Sequence, residues 1–465
     1  TGESNPRNDV SYGDGVYKST DGGKTWTNMG LRATRHISRI IVDPSDPKHV
    51  IVGASGDPFR DSTERGVFVT NDGGQTWSKT LYLGPQTGAS EIAMDPNHPA
   101  VLYAGMWQFR RLPWTFHSGG PQDGLYKSID GGKTWTQLTG NGLPASEMGR
   151  IAVAVAPNNS NRVYAVIEAK GGILWRSDNA GETWEMVSDN TLVDQRPFYF
   201  THINVDPSNA NHVYGVSNEL AESRDGGRRW RAIANPVHVD FHAMWIAPDN
   251  ANRMIVGEDG GYAITVDGGK NWSFSRNIPI GQIYHVGLSN ENPYWVCAPL
   301  QDNNAFCGPS NSRNRSGILD DDWLNVVGGD GMWAVPDPGN GNYIMADSQT
   351  GNISAYSKKL ESGRSVTPYY DFDRNSFNLA NRKYRFNWDS PIAFAPWNSH
   401  VLWLGGDVVF ASTDRGVHWT PISPDLTRNI KAHQIPAGGP LATDVSSAEF
   451  SDNILYIEGS KLRAG

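Results

Sequence analysis

An eight-residue segment, Ser19-Thr20-Asp21-Gly22-Gly23-Lys24-Thr25-Trp26, recurs along the chain and limits the fold more than any other feature. Near copies occupy 70–77, 128–135, 177–184, 223–230, 265–272 and 412–419, and every copy ends in Trp. The first six stand 42 to 58 residues apart at the Asp position, which is Asn179 in the fourth, and the 147 residues from Asp267 to Asp414 leave room for two more units with an eroded segment. A second signal keeps the same beat. Asp43-Pro44, Asp95-Pro96, Ala156-Pro157, Asp206-Pro207, Ala247-Pro248, Asp337-Pro338 and Ala395-Pro396 are each followed by a β-rich run such as Val213-Tyr214-Gly215-Val216. One unit therefore reads strand, Asp-Pro turn, strand, loop, strand, Asp-Gly-Gly turn, strand.

Four short antiparallel strands in each repeat is the spacing of a propeller blade, roughly 40 to 50 residues in known repeats. Period-two alternation, as in Gly124-Leu125-Tyr126-Lys127-Ser128, supports strands, and no segment carries the pattern of a three-turn helix. After a partial unit at 1–30, units are expected at 31–83, 84–140, 141–190, 195–235, 236–278, 279–324, 325–384 and 385–425, with a fragment after 440.

Composition agrees with this reading. Gly (51) and Pro (28) are in excess, as turns require, and 17 Trp with 17 Tyr among 465 residues exclude a disordered chain. Lys plus Arg is 40 against Asp plus Glu 49, a net charge of −9 with no block of like charge, which argues against a nucleic-acid partner. No run is apolar enough to insert in a membrane. Cys297 and Cys307 stand ten residues apart, as on two strands of one hairpin, and form either a disulfide or two buried thiols.

The octapeptide resembles the Asp-box, or bacterial neuraminidase repeat. The resemblance implies that the Asp caps its own hairpin, the glycines take positive φ and the Trp packs between blades. The whole chain resembles large bacterial glycosyl-hydrolase-like repeat proteins related to sortilin-type domains and tandem-propeller xyloglucanases. The segments that carry this likeness are Asn8-Asp9-Val10-Ser11-Tyr12-Gly13-Asp14-Gly15, His242-Ala243-Met244-Trp245, Leu300-Gln301-Asp302-Asn303, Gly328-Gly329-Asp330-Gly331 and Asn387-Trp388-Asp389-Ser390-Pro391. It implies an all-β fold of Asp-box β-propeller type, with parts of two tandem propellers at 1–278 and 279–465, blades missing at both ends, and an extracellular or periplasmic location.

In a propeller the first strand of each blade lines the channel, so candidate site residues lie just before each Asp-Pro turn. Those stretches are polar: Arg35 to Arg39, Ser90-Glu91, Arg150, His202, Asp240 and His242, His285, Asp330, and Arg385 to Asp389. Glycoside hydrolysis needs two carboxyl groups about 5 to 9.5 Å apart. Asp330, in a Gly-rich turn, and Asp389, beside Trp388, are the catalytic candidates, with Asp302 and Asp240 in reserve. Arg35, Arg150, His202, His242, His285, Arg385 and Trp388 are candidates for ligand contact. In an extended segment His238, Asp240 and His242 would share one face, as a metal site or as a polar channel wall; no metal or other cofactor is assigned. The stretch Met106 to His117 interrupts the repeat with Trp107 and Trp114, either to stack on a ligand or to pack as a lid. Two functions remain open: a propeller that binds a polysaccharide or protein, and a glycoside hydrolase. The three-arginine grip of a sialidase lacks its opening motif.

Overall fold

The computed structural model describes residues 2–233, 237–275, 277–369, 378–441, 443 and 447–462. Seven four-stranded sheets, one of five strands and one of two make up the described residues, all antiparallel and joined in chain order. The fold is thus all-β and built of blade-like sheets. Two compact units contain them. The first comprises Thr1–Leu112, Phe116–Ile278 and Gly438–Thr443; the second comprises Pro113–Thr115, Pro279–Ala437 and Asp444–Gly465.

In the first unit a two-stranded sheet, Tyr17–Lys18 with Thr27–Asn28, precedes five larger ones whose first strands are Ile37–Val42, Thr87–Met94, Met148–Ala156, His202–Asp206 and Phe241–Ala247. The second unit holds three sheets that start at Gly287–Leu288, Gly331–Pro336 and Ile392–Ala395. Two of these fill the long interval between Asp267 and Asp414, where the sequence carries no octapeptide.

Where the octapeptide is present, it explains how the last two strands of the sheet are joined. Asp72 accepts bonds from the Thr76 backbone N–H (3.0 Å), the Thr76 hydroxyl (2.6 Å) and the Thr70 hydroxyl (2.6 Å), while Gly74 N–H donates to Thr70 Oγ1 at 3.0 Å. Gly73 and Gly74 sit at φ +75° and +93°, a region that side chains rarely adopt. Asn179 makes the same turn with its amide, accepting from Thr183 N–H at 2.9 Å, and His418 replaces Thr by bonding Asp414 through Nδ1 at 2.6 Å. These donors hold the carboxyls of Asp21, Asp130, Asp267 and Asp414 down at about 2.

A further bond ties the two motifs of a repeat together. The box glycine N–H reaches the carbonyl after the Asp-Pro turn in Gly73 to Lys48 (2.9 Å), Gly131 to Ala100 (3.0 Å), Gly226 to Asn211 (2.9 Å) and Gly268 to Asn252 (3.0 Å). In some boxes the closing Trp reaches the preceding sheet, as Trp77 Nε1 donates to Met29 O at 2.7 Å and Trp419 Nε1 to Val366 O at 2.6 Å, whereas Trp26, Trp184 and Trp230 donate to the carbonyl of their own box glycine. Sheet-to-sheet clusters such as Ile51, Val67, Val69, Ile92 and Leu102 supply the core. In the second unit Cys297 and Cys307 face each other across neighbouring strands and form a disulfide, which resolves the alternative left open above.

Candidate functional site

Each unit gathers polar side chains near the starts of its first strands. In the second unit, Asp389 lies just before Ile392–Ala395 and receives two donors. Trp333 Nε1 donates to Oδ1 at 2.6 Å, and His285 Nε2 stands 3.0 Å from Oδ2. His285 stacks on the Trp333 ring with centroids 3.6 Å apart. Both the His285 and Asp389 side chains keep about a quarter of their surface open, at 28% and 27%. Trp388, next to Asp389, donates its indole N–H to Tyr284 Oη at 3.0 Å, and Tyr284 in turn donates to Gln301 at 2.7 Å. Three successive sheets therefore assemble one accessible carboxylate, an imidazole and aromatic rings.

Behind Trp333 stands Asp347, which is wholly buried. Its Oδ1 accepts the Trp333 backbone N–H at 2.8 Å, and its Oδ2 bonds to none of the described residues. Burial pushes this carboxyl well above the usual carboxylate range, and the neighbouring Asp389 charge adds to the effect. Trp333 is thus fixed at both its backbone and its indole nitrogen by two acidic side chains.

Asp330 serves a different purpose. It is 6% exposed, its Oδ1 accepts the Asp302 N–H at 2.7 Å, and its Oδ2 accepts from Gln349. Asp302 has φ +60°, so this carboxylate clamps a strained turn. The two expected catalytic carboxylates share no hydrogen-bond partner. Arg385, expected to meet ligand, is 3% exposed and saturated by Asp407 (3.3 Å), Asp425 (2.7 Å) and Thr427 (3.0 Å), so it braces its own sheet. Trp114 stacks on His433 at 3.8 Å.

In the first unit the first strands of all five larger sheets line a cavity of about 380 Å³. Its polar centre is Glu91, 6% exposed, which meets Arg39 Nε at 3.2 Å through Oε1 and His202 Nδ1 at 3.3 Å through Oε2. Burial raises the Glu91 carboxyl, but Arg39 and His202 outweigh it and hold the group below its ordinary value. Burial lowers the His202 imidazole.

Arg150, a ligand candidate by sequence, is buried instead. Its guanidinium donates to Phe198 O (2.8 Å) and Asn5 (3.2 Å), and burial lowers it to about 10. Around it lie two acids that the sequence did not mark. Glu168 accepts from Ser118 Oγ (2.6 Å) and Arg150 N–H (3.0 Å), and Asp194 accepts from Thr201 Oγ1 (2.6 Å); burial raises each to about 7. Trp107 is also corrected. At 1% exposure it stacks on Phe109 and donates to Ser118 Oγ at 3.0 Å, so it belongs to the core and presents no face to a ligand.

The shared face expected of His238, Asp240 and His242 does not form, because Asp240 has φ +66° and the strand starts only at Phe241. Asp240 accepts from Asn218, while His242 Nδ1 pairs with Asn5 Nδ2 at 3.0 Å. Arg35 remains half-buried, with its guanidinium over the Tyr12 ring at 4.5 Å and 3.8 Å from Asp57.

Repeated four-stranded antiparallel sheets with polar clusters at their first strands define an all-β, blade-like class of protein. Residues 14–143 match the family described as sortilin, neurotensin receptor 3. A probable oligoxyloglucan-reducing end-specific xyloglucanase of Neosartorya fischeri is 26% identical over 251 residues, covering 42% of this chain and 29% of that protein. A xyloglucanase of a Paenibacillus species is 23% identical over 401 residues, covering 76% of this chain and 35% of that protein. The solved GH74 xyloglucanase from Xanthomonas campestris aligns with 93% of this chain and 76% of its own, at 16% identity and a TM-score of 0.38. These matches show a distant relationship to xyloglucanases and sortilin-like proteins. The chain spans about a third of the length of the curated relatives it matches.

Proposed function

We propose that the chain is part of an exported carbohydrate-active protein that hydrolyses a glycosidic bond in a polysaccharide, with Asp389 as the carboxylate that meets the substrate. The observation that carries this reading is the Asp389 site: a partly open carboxylate held by an indole N–H and an imidazole, beside aromatic rings. A carboxylate that is partly open and fixed in place suits a base or nucleophile, and aromatic faces suit sugar rings. The relatives named as xyloglucanases support a β-glucan as substrate. In this reading the sheets are blades of Asp-box propellers, one at 1–278 and one at 279–465. The Cys297–Cys307 disulfide supports an oxidising, extracellular or periplasmic setting.

One observation favours a second reading, in which the same site binds a polysaccharide or protein without cleaving it. Asp330 has both carboxylate oxygens engaged by its own surroundings, so the second carboxyl of a two-carboxylate mechanism has other work. The test is release of reducing ends from xyloglucan and other β-glucans. Hydrolysis that falls a thousandfold or more in Asp389→Asn supports the first reading. Retained binding with no product from any polysaccharide supports the second.

A further inference from the structure

The cavity of the first unit is built differently from the Asp389 site and has its own chemistry. Glu91 uses both oxygens of one carboxylate, one for Arg39 and one for His202, so the two cationic-type side chains are displayed side by side. Neither is used up. Arg39 reaches Glu91 only through Nε, its terminal guanidinium nitrogens bond to none of the described residues, and its side chain is 52% exposed. His202 faces Glu91 through Nδ1, which leaves Nε2 for the cavity. With Nδ1–H directed at a carboxylate, the neutral tautomer carries its lone pair on Nε2. Beside them Asn204 donates to Met244 O at 3.2 Å and keeps its amide oxygen free among the described residues. His242 also lines the cavity, along with apolar side chains such as Ile41, Val153 and Ile203.

Such a cavity offers paired donors from Arg39 next to an acceptor on His202. An anion is a poor match, since Glu91 already balances the Arg39 charge and burial disfavours the charged form of His202. A hydroxyl both donates and accepts, and two adjacent hydroxyls on one ring fill both positions. We propose that this cavity is a second carbohydrate site, which takes one neutral sugar ring through a vicinal diol held between Arg39 and the Nε2 of His202. Glu91 is the positioning residue that fixes both. Only the ligand class rests on the carbohydrate reading given above; the residues are separate from Asp389 and His285.

The test uses the whole chain with isotope-labelled histidine, so that His202 and His285 report separately. A xyloglucan oligosaccharide and tri-galacturonate are titrated into the wild type, Arg39→Ala, Glu91→Gln and Asp389→Asn, with thermal melting to verify folding. The expected result is movement of the His202 ring signals with the neutral oligosaccharide, weakened tenfold or more in Arg39→Ala and in folded Glu91→Gln, and unchanged in Asp389→Asn. Movement of His285 alone would overturn this inference while leaving the Asp389 reading standing. Tighter binding of tri-galacturonate, or His202 titration unaffected by Arg39→Ala, would also overturn it. Conversely, His202 movement in a protein that hydrolyses nothing would uphold the site and remove the hydrolytic reading.

Discussion

Ile40 and Ile92 occupy the same place in the repeat, three residues before an Asp-Pro turn, and each faces the sheet that precedes its own. Ile92 is 1% exposed because it joins Ile51, Val67 and Val69 of the preceding four-stranded sheet. Val153, Ile203 and Ile392, at the same place, are 4%, 7% and 1% exposed. Ile40 is 42% exposed, because the sheet before it has only two short strands. Truncation to Ala removes three methylene-sized groups, each worth about 0.8 kcal/mol when fully buried, or about 2.4 kcal/mol for Ile92 before any cavity is counted. With the cavity left between two rigid sheets, Ile92→Ala is expected to cost about 3–4 kcal/mol. For Ile40 the exposed fraction scales the transfer part to about 1.4 kcal/mol, and water fills the space, so about 1 kcal/mol is expected. Urea unfolding followed by tryptophan fluorescence measures both from the midpoints, provided that the slopes agree. Equal costs for the two variants, or a larger cost for Ile40→Ala, would refute the argument that the preceding sheet buries this position.

Further consequences concern charge and cross-links. Glu168 and Asp194 titrate at about 7 when folded, above their ordinary values, so the stability they lend is full below about pH 4 and is lost as the pH rises to 7. The first unit should therefore melt at a lower temperature at pH 8 than at pH 5.5, and Glu168→Gln should flatten that slope; a slope of the opposite sign would contradict it. The Asp-box carboxyls act in the other direction, since values near 2 mean that their contribution is present above about pH 4 and lost in stronger acid. Reducing Cys297–Cys307, which closes a separation of ten residues, should destabilise the second unit by about 2–3 kcal/mol in urea, and an unchanged midpoint would count against it. Asp347→Asn keeps the acceptor for Trp333 N–H and resembles the protonated acid, so it should cost less than about 1 kcal/mol at pH 7. A loss above about 3 kcal/mol would mean that the buried group is ionised.

What the sequence made legible follows the range of the interactions involved. The octapeptide was readable because its bonds close within four residues: Asp72 to Thr76, and Thr70 to Gly74. Residues at that spacing close the turn among themselves, and the repetition marks seven of the nine sheets among the described residues. His285 and Asp389 were readable by position, since each lies before a first strand. Their partnership was not, because 104 residues separate them and Trp333 and Asp347 enter from strands with no local signature. Trp107 shows an alternative left open above that the pattern itself decides. Trp107, Phe109 and Arg111 alternate within Leu102–Leu112, and all three are at most 1% exposed, as period two requires of the inward face of a strand. Aromatic insertions that keep strand alternation extend the core, whereas Trp388, on a segment outside any strand, remains partly open beside Asp389. Periodicity thus separates the two tryptophans: the one that keeps strand alternation holds sheets together, and the one that stands just before a first strand stays beside the open carboxylate.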